Sequence, residues 1–384
     1  MRRVTLKVIT TNFKKHTGWS SPLPYLDSPQ TLILIFGAPS FIDNHEPFLE
    51  LKEKYPTSII AGCSTAGEIF DDQVLDESLV VSFTRFTHTH LRLYTTPISD
   101  MEQSLKTGSN IAKNLKDNEL SSVLVLTDGL LVNGTDFIKG VNSQFEEKIL
   151  VTGGLAGDGG NFKQTWILAD GIPQSGYACG IGFYGDAIKI DHGSQGGWKA
   201  FGPERLVTKS HNNVLYELDD KPALELYKGY LGEMADGLPA TGLRYPLSLY
   251  DKSSNKKLVR TILAVNEDEQ SLTFAGDIPN GHSVQLMYAT FDNLIDGAED
   301  AAKMLDINAT PEQEVLAIAI SCVGRRMVME EDPGAELEAV KESLPEQTKQ
   351  VGFYSYGELS PCLKNGICDL HNQTMTLTTI YEQE

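Results

Sequence analysis

The sequence predicts an α/β (α+β) protein of two domains, with mixed, largely antiparallel sheets covered by helices. Three observations carry that expectation. A strand, helix, strand and turn recur in the same order at 31–68, 123–158 and 315–358, and such repetition marks one supersecondary unit used several times. The links between neighbouring β-prone runs are short, which suits antiparallel pairing. Finally, 384 residues at 41% hydrophobic content supply more than one core, while no apolar run is long enough to span a bilayer.

From the amino terminus, residues 1–16 (MRRVTLKVITTNFKKH) alternate polar and apolar side chains. They read as a strand, with neither the apolar core nor the cleavage site of an export signal. A cytoplasmic location is therefore expected, and five cysteines scattered over the chain suit a reducing compartment better than a disulfide scaffold. The first copy runs from TLILIF at 31–36 through helical spacing at 41–55 to an apolar run at 58–62 that opens GCSTAGE. The second runs from VLVLT at 123–127 through a helical stretch at 135–147 to 149–153 and GGLAGD. The third runs from VLAIAIS at 315–321 through a helix at 333–343 to 350–354 and YSYGE. Each copy thus ends on glycine followed by a carboxylate: Gly67 and Glu68, Gly157 and Asp158, Gly357 and Glu358.

Each copy then proceeds to a strand pair, at 79–86 with 91–96, 178–184 with 188–192, and 366–370 with 374–381. Amphipathic helices at 100–115 and 292–305 precede the second and third copies. Between those copies, Pro222 sits early in a helix whose apolar face is Leu224, Leu226, Tyr227 and Leu231, and short β-prone runs follow to 288. That section reads as a small β-rich subdomain. The expected domains are 1–211 and 212–384.

A formal charge of −20 and a pI near 4.8 argue against nonspecific nucleic-acid binding and against polybasic membrane attachment. Small molecules or other proteins are the expected partners. The densest chemistry lies at 182–211, where His192 is followed by Gly193, Gly196, Gly197, Trp198 and Phe201. Imidazole is a common iron ligand, so this stretch either holds a haem or is a solvated turn. Residues 153–160 (GGLAGDGG) lack the glycine order of a dinucleotide site. They read instead as a tight turn beside a ligand pocket, formed by Gly153, Gly154, Gly157 and Asp158. Arg325 ends a strand, where it either receives a ligand carboxylate or pairs with a surface acid. Cys63 has no histidine near it in sequence and reads as part of a small-residue turn. Cys362, Cys368 and His371 lack the fourth ligand of a structural zinc site.

Taken together and in order, GCSTAGEI at 62–69, GGLAGDG at 153–159, VTKSHNNVLYELDDKPALELYKGYLG at 207–232, SCVGR at 321–325, GFYSYGE and LHNQTM resemble the FIST-domain family. The resemblance places an amino-terminal FIST half at 31–211 and a carboxy-terminal half at 212–380. It implies a ligand-binding sensory module of bacterial signalling, with amino acids as one proposed ligand class. HGSQGGWKAFGPERLVT at 192–208 and LYKGYLG with GLPATGLRYPL at 226–247 resemble the NosP-type haemoproteins of this family more closely. This branch implies haem b, nitric oxide as ligand, and a histidine kinase or cyclic-di-GMP enzyme as partner. His192 would then be the proximal iron ligand, with Trp198 and Phe201 walling the macrocycle and Lys199, Arg205 and Lys209 meeting the propionates. His211, His282 and His371 are rival ligands.

The chain carries no kinase, cyclase or receiver signature, so the expected output passes through a partner and no enzymatic activity is expected. Homodimer formation is left open. Two alternatives accompany the haem sensor: a haem-free FIST sensor for an amino acid or another metabolite, and a cysteine hydrolase using Cys63 or Cys322.

Overall fold

The computed structural model describes residues 6–145, 149–251, 256–330, 332–364 and 366–383. The first five residues of the expected amino-terminal strand and the end of the helix expected at 135–147 lie outside them. The mixed α+β architecture is as expected: three mixed sheets, one antiparallel sheet, and seven α-helices among the described residues.

The repeat is real in three dimensions. In the first copy Thr31–Gly37 pairs in parallel with Ile59–Ser64 and antiparallel with Ser78–Phe86. In the second, Leu120–Thr127 stands in the same way between Leu150–Leu155 and Tyr177–Tyr184. In the third, Val315–Cys322 stands between Thr348–Ser355 and Met375–Glu382. The helices Glu46–Lys54, Gly134–Asn142 and Gly334–Ser343 make the parallel crossovers, as two parallel neighbours require. Central strands such as Thr31–Gly37 and Val315–Cys322 are buried along their whole length, which explains their unbroken apolar sequence.

One position is the same in all three copies. Gly62, Gly153 and Gly352 lie opposite Ile35, Val125 and Ala319 on the parallel neighbour. A Cβ there would sit 2.0, 1.9 and 1.7 Å from those residues' carbonyl oxygens. Glycine is therefore demanded by the approach of two backbones.

The short strands after each copy leave their own sheet. Glu68–Phe70 adds to the third copy at Thr348–Ser355, Gly357–Pro361 adds to the second at Leu150–Leu155, and Ile167–Ala169 adds to the first at Cys63. The exchange closes into a ring of three. A common core lies inside it, with Phe36 stacked on Phe353 at 4.9 Å and Leu124, Leu126, Ile318 and Ile320 around them.

Each copy also receives an outer strand from earlier in the chain: Leu6–Lys14, His90–Pro97 and Ile188–Gln195. For the third copy, the chain between that strand and helix Phe291–Lys303 is occupied by the β-rich section. It forms an antiparallel sheet with helix Ala223–Leu231 and a core of its own around Leu215, Leu224, Leu272 and Phe274. It is an insertion into the third copy. The expected boundary between 211 and 212 falls in the turn joining Lys199–His211 to Val214–Leu218, which pair with each other. The stretch 182–211 accordingly divides among three sheets.

Candidate functional site

The carboxylates that close the repeats show where the copies differ. Glu68 accepts from Thr65 Oγ1 (2.5 Å) and from Ser78 through both its backbone N–H (3.1 Å) and its Oγ (2.7 Å). Glu358 repeats the pattern with Ser355 Oγ (2.7 Å) and Thr374 (N–H 3.2 Å, Oγ1 2.9 Å). Burial pushes Glu68 up to about 8 and Glu358 up to about 7. In the second copy Asp158 accepts instead from the N–H groups of Phe162, Lys163 and Gln164 (2.7–2.8 Å) and from the Tyr356 hydroxyl. Its hairpin therefore begins only at Ile167, nine residues after the carboxylate, and the intervening loop swings Phe162 outward.

That loop walls a cavity of about 440 Å³. Phe162 stacks on Tyr356 (ring centroids 4.6 Å apart), and both rings line the space. The second copy contributes the 129–134 turn, the third contributes Cys322, Val323, Gly324, Met327 and Asn372, and the insertion contributes Leu238, Leu243, Thr261 and Phe274. The cavity is thus a junction of core and insertion. Its rim carries Met101, Phe162 and Leu263, large apolar side chains 53%, 49% and 44% exposed. Two buried polar atoms of lining residues have no hydrogen-bond partner, Thr261 Oγ1 and Asn372 Oδ1. Each has less than 1 Å² exposed, so both are enclosed by protein behind the wall.

The residues expected around a ligand are placed as follows. Gly153 sits at the close backbone approach described above. Gly154 pairs with Glu358 in the sheet, and at Gly157 a Cβ would lie 2.8 Å from Ala66 N. Asp158 supports the cavity wall through Tyr356 without lining the space. Arg325 is fully buried, with Nε and one terminal nitrogen on Glu336 Oε2 (2.9 and 2.7 Å) and further bonds to the carbonyls of Gly196 and Leu294 (2.7 Å each). Its guanidinium ties helix Gly334–Ser343 to the 196–197 turn and to helix Phe291–Lys303.

His192 lies inside strand Ile188–Gln195 and not in a turn. It is 3% exposed, with Nδ1 3.5 Å from Ser360 Oγ and Nε2 3.4 Å from the Lys364 carbonyl. Burial holds its pKa below the usual histidine value. His371 donates from Nε2 to the Ser360 carbonyl at 2.8 Å and is pushed down to about 4 by burial. A second cavity of about 330 Å³ opens nearby, and of the five residues expected around haem Trp198 alone lines it. Trp198 Nε1 donates to the Gln373 carbonyl (2.8 Å), Lys199 is exposed, and Phe201 packs edge-on against Tyr245 and Tyr288. Arg205 bonds Tyr230 (2.8 Å) and Asp219 (3.0 Å).

These residues do not fit a haem as they stand. Both ring nitrogens of His192 face protein atoms, and the five side chains do not converge on one space. Of the rivals, His371 lines the smaller cavity, His211 is exposed, and His282 faces Asp251 at 3.8 Å. Lys209 pairs with Glu217 (3.5 Å).

Among the described residues, no group of three or more His, Cys, Asp or Glu is arranged to hold a metal ion, and Cys362 Sγ is 3.8 Å from His371 Nε2 without a further ligand. Cys63 and Cys322 are buried thiols whose pKa values burial raises, which opposes the thiolate a nucleophile needs. No helix among the described residues is long and apolar enough to cross a membrane.

The cavity was not foreseen from its residues, which are mostly Gly, Leu, Ile, Thr and Asn. The available signal was the displaced second-copy hairpin: the run after Asp158 does not continue directly into a strand as it does after Glu68 and Glu358.

Comparison with known proteins places the FIST N domain over residues 31–221 and the FIST C domain over 223–361. The chain is also 24% identical over 311 residues to an uncharacterized protein of Methanocaldococcus jannaschii. That alignment covers 72% of this chain and 57% of the relative, so the chain spans little more than half of the relative's length.

Proposed function

Because the chain belongs to the FIST family, whose domains are generally sensory and bind small ligands, we propose that it senses a small molecule held in the cavity of about 440 Å³. The observation that carries this reading is the composition of the walls, to which the second copy, the third copy and the insertion all contribute. Occupancy favours whichever arrangement of insertion and core closes around the ligand, a population shift that a partner protein can read. A histidine kinase or a cyclic-di-GMP enzyme is the kind of partner the resemblance suggests. The finer expectation, haem b with nitric oxide as the signal, rests on the sequence around His192, where the residues form no cradle for the group.

The test is a thermal-shift screen of small metabolites against the wild-type protein and Leu243→Trp, which fills the cavity. A ligand present at a hundred times its Kd stabilises by about 2.7 kcal/mol. Stabilising compounds are expected, and their effect is expected to vanish in Leu243→Trp. Hits that persist undiminished in the variant place the site elsewhere.

A further inference from the structure

We infer that the molecule taken by this cavity is uncharged and mainly apolar. The inference rests on the small-ligand reading above and narrows its chemistry. Among the described residues lining the cavity there is no Asp, Glu, Lys, Arg or His. A free amino acid would bring an ammonium and a carboxylate into these walls, and a buried charge without a partner is far costlier than a buried polar group.

Charged groups close behind the walls are already matched. Asp277 accepts from Asn133 Nδ2 (3.1 Å) and Lys139 (3.3 Å). Arg260, next to Thr261, donates to the carbonyls of Val259, Asp277 and Leu370 (3.1 Å each). Helix Gly134–Asn142 starts at the wall, but Asn133 Oδ1 already accepts the Asp136 N–H (3.0 Å), and Asp136 itself lies in the first turn. Its positive end is therefore quenched towards an anion.

The side chains of Leu130, Val132 and Ile262 offer the molecule an apolar wall, while the two unpartnered atoms nearby, Thr261 Oγ1 and Asn372 Oδ1, have less than 1 Å² exposed and make no demand on it.

A matched pair of fluorescent probes tests this with the full chain: N-phenylnaphthylamine, and anilinonaphthalene sulfonate, which carries a fixed negative charge on the same ring system. Wild type is expected to bind the neutral probe saturably. The sulfonate should bind at least roughly tenfold more weakly, as a charge brought against uncharged walls implies. Leu243→Trp should abolish binding of the neutral probe.

A sulfonate that binds equally well and is lost in Leu243→Trp overturns the inference while leaving the ligand site standing. No saturable binding of the neutral probe overturns the inference, and the fate of the site then rests on the metabolite screen. Binding of both probes unaffected by Leu243→Trp overturns both readings.

Discussion

The cluster around His192 and Arg325 and the cavity beside Phe162 divide the molecule's polar chemistry in opposite ways. In the first, the reactive types stand close together: His192 and His371 flank Ser360, Cys362 lies beside His371, and Arg325 grips Glu336. Their polar atoms are largely engaged by protein. In the second, the lining is chemically plain, yet two buried polar atoms lack partners and there is room for a molecule. Residue type alone therefore ranks the two regions in the wrong order for ligand binding. Unpartnered buried atoms occur in both, Ser194 Oγ beside His192 among them, so what separates the regions is the space enclosed and the three parts of the chain that wall it.

The comparison breaks most visibly if Arg325 is removed. Arg325→Met leaves Glu336 buried and unpaired, and is expected to cost about 3–5 kcal/mol in denaturant unfolding. Rescue of that loss by a cavity ligand would show that the guanidinium belongs to the binding site. The pH dependence comes next. Glu68, held near 8 in the fold, binds a proton that the unfolded chain releases at ordinary carboxylate pH. Its contribution is present below about 4.5 and is lost as pH rises to 8. Between pH 6.5 and 8 stability should fall by up to about 1.4 kcal/mol per pH unit for such a group, and Glu68→Gln should flatten the slope.

His371, held near 4, works in the other direction. It contributes stability above about 6.5 that is lost as pH falls through 4, so His371→Gln should flatten the acid side of the same curve.

A smaller effect is expected at His192. His192→Ala removes a buried ring and should cost about 1–3 kcal/mol without altering probe binding in the cavity. Hemin added to the protein should give no Soret band that depends on His192. A band present in wild type and absent from this variant would restore iron ligation and reverse the ranking of the two regions. The smallest effect belongs to Thr261→Val. Its hydroxyl has no bond to lose, so stability should change by less than about 0.5 kcal/mol; a loss above 1 kcal/mol would mean the hydroxyl is partnered.

Much of the architecture was legible in the chain because it depends on local pattern. The all-apolar runs, the crossover helices and the carboxylates Glu68 and Glu358 announce the repeat before any contact is known. Strand exchange was not legible, because the partner of Glu68–Phe70 lies some 280 residues away and nothing in three residues specifies it. The role of Gly153 was misplaced for a related reason: a glycine beside a ligand and a glycine beside another backbone look alike in sequence, and here Val125 is the neighbour. The cavity was least legible, since its plain lining residues come together only when the insertion packs on the second and third copies.

The three-way exchange of hairpins has a practical consequence for anyone cutting the gene. A fragment ending near 221 would contain Leu150–Leu155 without Gly357–Pro361, and Glu68–Phe70 without Thr348–Ser355. Each loss exposes a bare strand edge, and such edges recruit other chains. The segments matched by the two family domains are consequently parts of one interlocked object, like links that cannot be parted without opening one. Separately expressed halves should aggregate, whereas the two produced together have every missing edge available and should assemble into the intact ring.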